Sequence, residues 1–186
     1  MARFDVTPTA LTDVKLVQPQ VFEDDRGCFM ETYTRSRFQS QDIRASFVQD
    51  NQSFSRDAGT LRGLHYQQPP FSQDKLVRCI RGRIWDVAVD IRRSSPTFRS
   101  WVGVELSADN RRQLFVPTGF AHAFLTLEPD TEVVYKVSAE YSAAHDAGIR
   151  WDDPDLGIDW PLSTSQPVLS LRDGQLPSLS QAILFD

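Results

Sequence analysis

Residues 61–70, LRGLHYQQPP, place Arg62, His65 and Tyr66 between a strand-like run and a Pro-Pro turn, and Lys75 opens the next apolar run, KLVRCI. One short stretch therefore offers a proton acceptor and two fixed cations. A neutral imidazole, with an unperturbed pKa of about 6.5, takes up a proton near neutrality. Arg62 and Lys75 suit an anionic substrate, or an oxyanion that develops during reaction. The cluster alone does not establish chemistry. A lone His beside a Tyr in a β-rich chain is more often a packed, hydrogen-bonded residue than a base.

The elements that must position these residues read as strands, because the apolar pattern has period two almost throughout. KLVRCI and RIWDVAVDIR flank Arg81-Gly82, a turn signal between β-branched runs, which predicts a hairpin. In the second run Trp85, Val87, Val89 and Ile91 share one face, and Ile84, Asp86, Ala88 and Asp90 share the other. WVGVEL, RRQLFVP, HAFLTLE and TEVVYKVSAEY continue the pattern between turn signals, as in a β-sandwich or barrel. Val133, Tyr135 and Val137 point together, so Tyr135 presents its hydroxyl to an apolar cavity if that face is internal. A buried phenol needs a hydrogen-bond partner, and a purely structural one would suffice. The best helix candidate is the short SRFQSQDI, with Ser36 as N-cap. Pro154, Pro161, Pro167 and Pro177 predict an irregular C-terminal third that wraps the barrel as loops.

With 186 residues, 40% apolar and 24% charged, the chain is sized for one well-buried core, a single domain over 1–186. No run approaches the roughly 20 apolar residues of a membrane span. The N-terminus lacks the basic start and apolar core of a secretion signal, so a cytoplasmic protein is expected. The net charge of −5 argues against general nucleic-acid binding, so any phosphate must be held by a local group of cations. Cys28 and Cys79 are too few for a disulfide framework or a thiolate zinc site. Both read as reduced, Cys79 as a small apolar filler. Only Lys15, Lys75 and Lys136 are lysines; the remaining basic residues are Arg, which suits bidentate phosphate recognition as well as surface ion pairing.

The whole chain resembles the dTDP-4-dehydrorhamnose 3,5-epimerase family of sugar-nucleotide epimerases. The resemblance runs through VFEDDRGCFMETY, QDNQSFSRDAGTLRGLHYQ, KLVRCIRGRIWDVAVDIRRSSPTF, FVPTGFAHAF, EVVYKVSAEYS, IRWDDPDLGIDWP and LSLRD, in that order. It implies an all-β fold, the double-stranded β-helix or cupin-like jelly roll. It also implies a 4-keto-6-deoxy sugar on dTDP as substrate, with no cofactor and no metal. By the same resemblance His65 matches the catalytic base, Tyr135 the general acid and Asp173 the carboxylate paired with the base; on chemical grounds the Lys75 cation would stabilise the enolate oxygen. Arg26, Glu31, Gln49, Asn51, Arg62, Lys75 and His122 match binding positions, and Tyr141 belongs to the surroundings of the site.

The departures fall at the edges of the pattern. Asp146 stands where the family usually has Glu, and Arg172 where Lys is frequent; both are carried as substrate-binding candidates. Ala123 replaces a usual Gly and Gln52 a common His. The family further implies a homodimer that exchanges N-terminal strands, here from Phe22 to Tyr33, with Arg26 or Glu31 serving the partner's site.

Three other readings compete. A mono-epimerase of the same fold would invert only C3 or C5; the presence of Tyr135 favours the double epimerase. A metal cupin requires clustered ligands, yet the histidines stand singly at 65, 122 and 145, with no H-x-H. A sugar-binding jelly roll without catalysis would tolerate loss of the base or the acid, and both are here.

Overall fold

A computed structural model describes residues 4–186, and the period-two runs form strands nearly wherever the sequence places them. In chain order these are β1 (Phe4–Pro8), β2 (Lys15–Pro19), β3 (Val21–Asp24), β4 (Gly27–Met30), β5 (Gln49–Ser55), β6 (Leu61–Gln67), β7 (Lys75–Arg81), β8 (Arg83–Asp90), β9 (Trp101–Ser107), β10 (Gln113–Val116), β11 (Phe120–Thr126), β12 (Thr131–Val137) and β13 (Asp146–Gly148). Helix α1 (Arg35–Ser40) is short, and a 3-10 turn spans Asp173–Gln175. A six-stranded sheet has the order β1-β2-β10-β7-β12-β5, and a five-stranded sheet the order β13-β6-β11-β8-β9. Among the described residues, strands β3 and β4 pair only with each other. The fold is all-β, two antiparallel sheets arranged as a jelly roll.

The hairpin expected at Arg81-Gly82 does not form. Strand β7 pairs with β10 and β12, whereas β8 pairs with β11 and β9, so the turn carries the chain from one sheet into the other. Gly82 adopts φ +75, and a Cβ there would lie 2.4 Å from Oγ1 of Thr131. The turn residue was legible; which sheet the next strand joins depends on pairing between distant segments.

Packing explains why β8 is apolar on both faces. Val87, Val89 and Ile91 join Leu64, Tyr66 and Ile149 beneath Leu156, Trp160 and Leu179 of the C-terminal wrap. Ile84 and Ala88 face Val77, Cys79 and Val133 of the other sheet. A third cluster places Phe38 of α1 and Ile43 against Val17, Leu76 and Phe115, on the outer face of the six-stranded sheet. The proline-rich C-terminal third wraps as loops and touches the sheets by single bridges, Thr60 with Val168 and Arg92 with Phe185.

Helix α1 overlaps the expected segment but begins one residue before it, and its N-cap is Thr34, not Ser36. The Thr34 hydroxyl is directed to the Glu31 carboxylate, which also accepts from Arg37 at 2.7 Å. That local acid, rather than a side-chain cap, organises the start of the helix. No helix among the described residues is long and apolar enough to cross a membrane.

Candidate active site

The inner faces of the two sheets enclose a cavity of about 280 Å³, walled in part by Arg62, His65, Lys75, His122, Tyr135 and Asp173. It adjoins a second lobe of about 320 Å³ reached by Gln49, Asn51, Tyr141 and Asp146, with His65, Lys75, Tyr135 and Arg172 common to both. The interior is polar where the strand pattern suggested an apolar one, although Phe124 and Tyr135 join it to the adjoining hydrophobic core. A larger groove of about 420 Å³ is bordered by Thr32, Gln52, Arg78 and Lys136 and reaches neither His65 nor Asp173. We take the inner cavity as the site, since the acid–base groups converge there.

Strand β6 supplies Arg62 and His65. They are three residues apart, so a regular strand would turn them to opposite faces. Between β6 and β11 the register shifts: His122 pairs with His65, yet Phe124 pairs with Arg62. Three steps on β6 thus span two on β11, a bulge that brings both side chains inward. Gly63 occupies the bulge at φ +122, where a Cβ would lie 2.5 Å from both the Ala123 Cβ and the His122 carbonyl oxygen. Only glycine fits that approach. Tyr66 points the other way: its hydroxyl donates to the Ile183 carbonyl at 2.8 Å, and it packs in the outer core.

His65 Nε2 lies 2.6 Å from Oδ1 of Asp173. With the carboxylate accepting from Nε2–H, the neutral ring carries its lone pair on Nδ1. Burial works to raise the Asp173 pKa, but the hydrogen bond and charge of His65, a bond from Ser170 and the nearby Arg172 outweigh it and hold the group below the usual carboxylate range. Asp173 therefore stays ionised beside the imidazole.

Tyr135 enters from β12 in the six-stranded sheet, while His65 enters from β6 in the five-stranded sheet. The two stand on opposite walls. Burial pushes the Tyr135 phenol above its ordinary pKa; Arg62 lowers it and Asp146 raises it further. The hydroxyl is thus a neutral donor at physiological pH.

Lys75 is buried at the start of β7, and its Nζ donates to the His65 carbonyl at 3.2 Å. Desolvation lowers its pKa to about 8, against the opposing pull of Asp86 and Asp146. Arg62 is steadied by Ser55 Oγ at 3.3 Å and the Phe54 carbonyl at 3.1 Å. At the mouth, Arg172 pairs with Asp146 at 2.7 Å, and the Tyr141 hydroxyl donates to the same carboxylate at 2.9 Å. Gln49 accepts from the Tyr141 amide at 3.0 Å and donates to Asn51 at 2.7 Å.

His122 faces the cavity from β11 and is held through Nε2 by Oδ1 of Asp86 at 2.8 Å. Asp86 was not among the expected site residues, although it is fully buried. A signal existed: two acids, Asp86 and Asp90, share a face of β8 with Ile84 and Ala88, and buried acids are paired. Asp90 is accounted for by Arg92, Ser95 and Thr97. Asp86 belongs to the site. Ser53, Phe124 and Ser170 also line the cavity and were likewise missed.

Arg26 and Glu31 are not brought to this cavity by their own chain. Arg26 sits on the β3–β4 arm with its side chain 89% exposed and pairs with Asp24. Glu31 binds Thr34 and Arg37. Among the described residues, no three His, Cys, Asp or Glu side chains group so as to hold a metal ion.

A family model for dTDP-4-dehydrorhamnose 3,5-epimerase matches residues 8–181. The chain belongs to the dTDP-4-dehydrorhamnose 3,5-epimerase family. A dTDP-4-dehydrorhamnose 3,5-epimerase from Sinorhizobium fredii is 51% identical over 172 residues, 92% of this chain and 88% of that protein. The crystal structure of the Bacillus anthracis dTDP-4-dehydrorhamnose 3,5-epimerase, with TDP and PPi bound, matches with a TM-score of 0.91 at 51% identity, covering 94% of this chain and 99% of that one. A Legionella pneumophila dTDP-6-deoxy-D-glucose-3,5-epimerase in complex with dTDP-4-keto-L-rhamnose matches with a TM-score of 0.92 at 41% identity, over 96% and 94% of the two chains. The resemblance carried by the motifs is borne out, and with it the jelly roll. Membership in the dTDP-4-dehydrorhamnose 3,5-epimerase family makes the protein an isomerase.

Proposed function

We propose that the protein epimerises dTDP-4-dehydro-6-deoxy-D-glucose at C3 and C5 to dTDP-4-dehydro-L-rhamnose. The observation that carries this reading is the placement of His65, paired with Asp173, and Tyr135 on opposite walls of one cavity. Inversion at carbon needs a base on one face and an acid on the other.

The C4 carbonyl of the substrate acidifies the C–H bonds at C3 and C5, so the reaction needs no redox cofactor. His65 Nδ1 takes the proton, and the C–H electron pair moves to the C4 oxygen as an enolate. Lys75 stabilises that oxygen where charge develops. Tyr135 gives its proton to the opposite face of the carbon as the enolate returns to the C4 ketone; His65 then loses its proton to solvent and the phenolate regains one. Asp173 orients the imidazole and stabilises the imidazolium.

Arg62, His122 and Arg172 hold the diphosphate and sugar, and Gln49, Asn51, Tyr141 and Asp146 the nucleoside side. The functional unit is a homodimer in which residues 22–33 are exchanged and Arg26 and Glu31 complete the partner's site. Support comes from the β3–β4 arm, which exposes Phe22 at 42% and Phe29 at 70%. Contiguous exposed aromatics of this kind mark interaction surfaces. The protein acts as a single domain in the cytoplasm; Cys28 and Cys79 stand as free thiols, the state a reducing compartment maintains.

His65→Asn tests the assignment against a binding-only role. The variant should bind dTDP with unchanged affinity while turnover falls by about 10²–10⁴-fold or more. Turnover retained near the wild-type rate would remove His65 from the chemistry.

A further inference from the structure

Strand β5 carries a polar row on the face it turns toward the cavity: Gln49, Asn51, Ser53 and Ser55 recur at every second residue. Gln49 bonds Asn51 and the Tyr141 amide, and Ser55 bonds Arg62. Ser53 differs. Its Oγ is buried and has no hydrogen-bond partner among the described residues, yet the residue lines the inner cavity with Arg62, His65, Lys75 and Tyr135.

A buried hydroxyl left unpaired is destabilising, so such groups in native proteins call for an explanation. Here the residue lines the cavity while its Oγ has almost no accessible surface, so meeting a bound sugar takes a rotation about χ1. Ser53 pairs in register with Val133, and Asn51 with Tyr135, so Ser53 stands on the same wall as Tyr135 and one strand step away. A serine hydroxyl both donates and accepts, which suits a neutral sugar hydroxyl. Lys75, a cation, suits the oxyanion.

We propose that Ser53 is a substrate-binding residue whose hydroxyl hydrogen-bonds a ring hydroxyl of the hexose from the Tyr135 side of the cavity. The assignment rests on the nucleotide-sugar reading above. A contact to a non-reacting hydroxyl is made in ground and transition state alike, so its loss raises KM and leaves kcat near the wild-type value.

The test is Ser53→Ala in the full chain, with kinetics on dTDP-4-keto-6-deoxyglucose, titration with dTDP alone, and thermal melting without ligand. The expected result is a KM increase of about threefold to tenfold. The dTDP affinity should be unchanged, and the melting temperature equal to or above the wild type, because the variant removes an unpaired buried group. A lowered melting temperature with unchanged KM would make Ser53 structural and overturn the proposal. An equal loss of affinity for dTDP would move the contact to the nucleotide, and a fall confined to kcat would move it to the enolate; either overturns it. Wild-type protein that does not turn over the sugar nucleotide would overturn the functional reading itself, whereas active wild type with an indistinguishable variant would overturn the Ser53 assignment alone.

Discussion

Nε2 of His65 lies 2.6 Å from Oδ1 of Asp173, a residue 108 positions later in the chain. The imidazole comes from strand β6 and the carboxylate from a turn in the C-terminal wrap, so the pair exists only once that wrap has docked. Asp173→Asn keeps the side-chain shape and presents an amide in place of the charge. The expected outcome is a fall in kcat of about 10²–10⁴-fold with nucleotide affinity retained, measured by turnover and dTDP titration. An unchanged kcat would reduce Asp173 to a loop anchor.

Tyr135→Phe removes the donor on the wall opposite His65 and leaves the base intact. The variant should still exchange substrate hydrogen with D2O, because His65 can abstract and return a proton on one face. Net inversion should fall by about 10²-fold or more. Rapid inversion at the wild-type rate would show that another group is the acid.

Lys75 gives a prediction in the opposite direction for stability. Burial moves its pKa from 10.5 down to about 8, so at pH 7 the folded protein holds a charge that desolvation disfavours. The shift corresponds to a cost on the order of 3 kcal/mol, since one pKa unit is about 1.4 kcal/mol. Lys75→Met should therefore melt higher than the wild type at pH 7 while losing activity. Between pH 8 and 10.5 the folded form releases this proton before the unfolded form does, so wild-type stability gains from this group as pH rises and the difference narrows. Melting curves at pH 7 and pH 10 check both signs. A destabilised variant at pH 7 would show that the ammonium is held by more than the geometry provides.

Much of this architecture was legible in the chain. Period-two runs gave the strands because each buries at least one face, and the long motifs identified His65, Tyr135 and Asp173 with their family. Alternation put Val133, Tyr135 and Val137 on one face, and pairing between sheets decides that this face turns Tyr135 to the cavity. What stayed hidden was set by distant pairing. The turn at Gly82 announces a reversal but not that β8 leaves the sheet of β7. Simple alternation puts Arg62 and His65 on opposite faces, and only the bulge against β11 brings them together. Asp86 reads as an anomaly on an apolar face until His122 is seen beside it. Arg26 and Glu31 could not be placed from spacing, since their own chain holds them away from the cavity.

The most direct measurement is proton NMR of dTDP-4-keto-6-deoxyglucose with the protein in D2O and no reductase present. Abstraction by His65 beside the C4 carbonyl predicts deuterium at both C3 and C5. Deuterium at a single carbon would contradict the double epimerisation and leave a mono-epimerase. No exchange at either carbon, with the protein folded, would contradict the account for this substrate altogether.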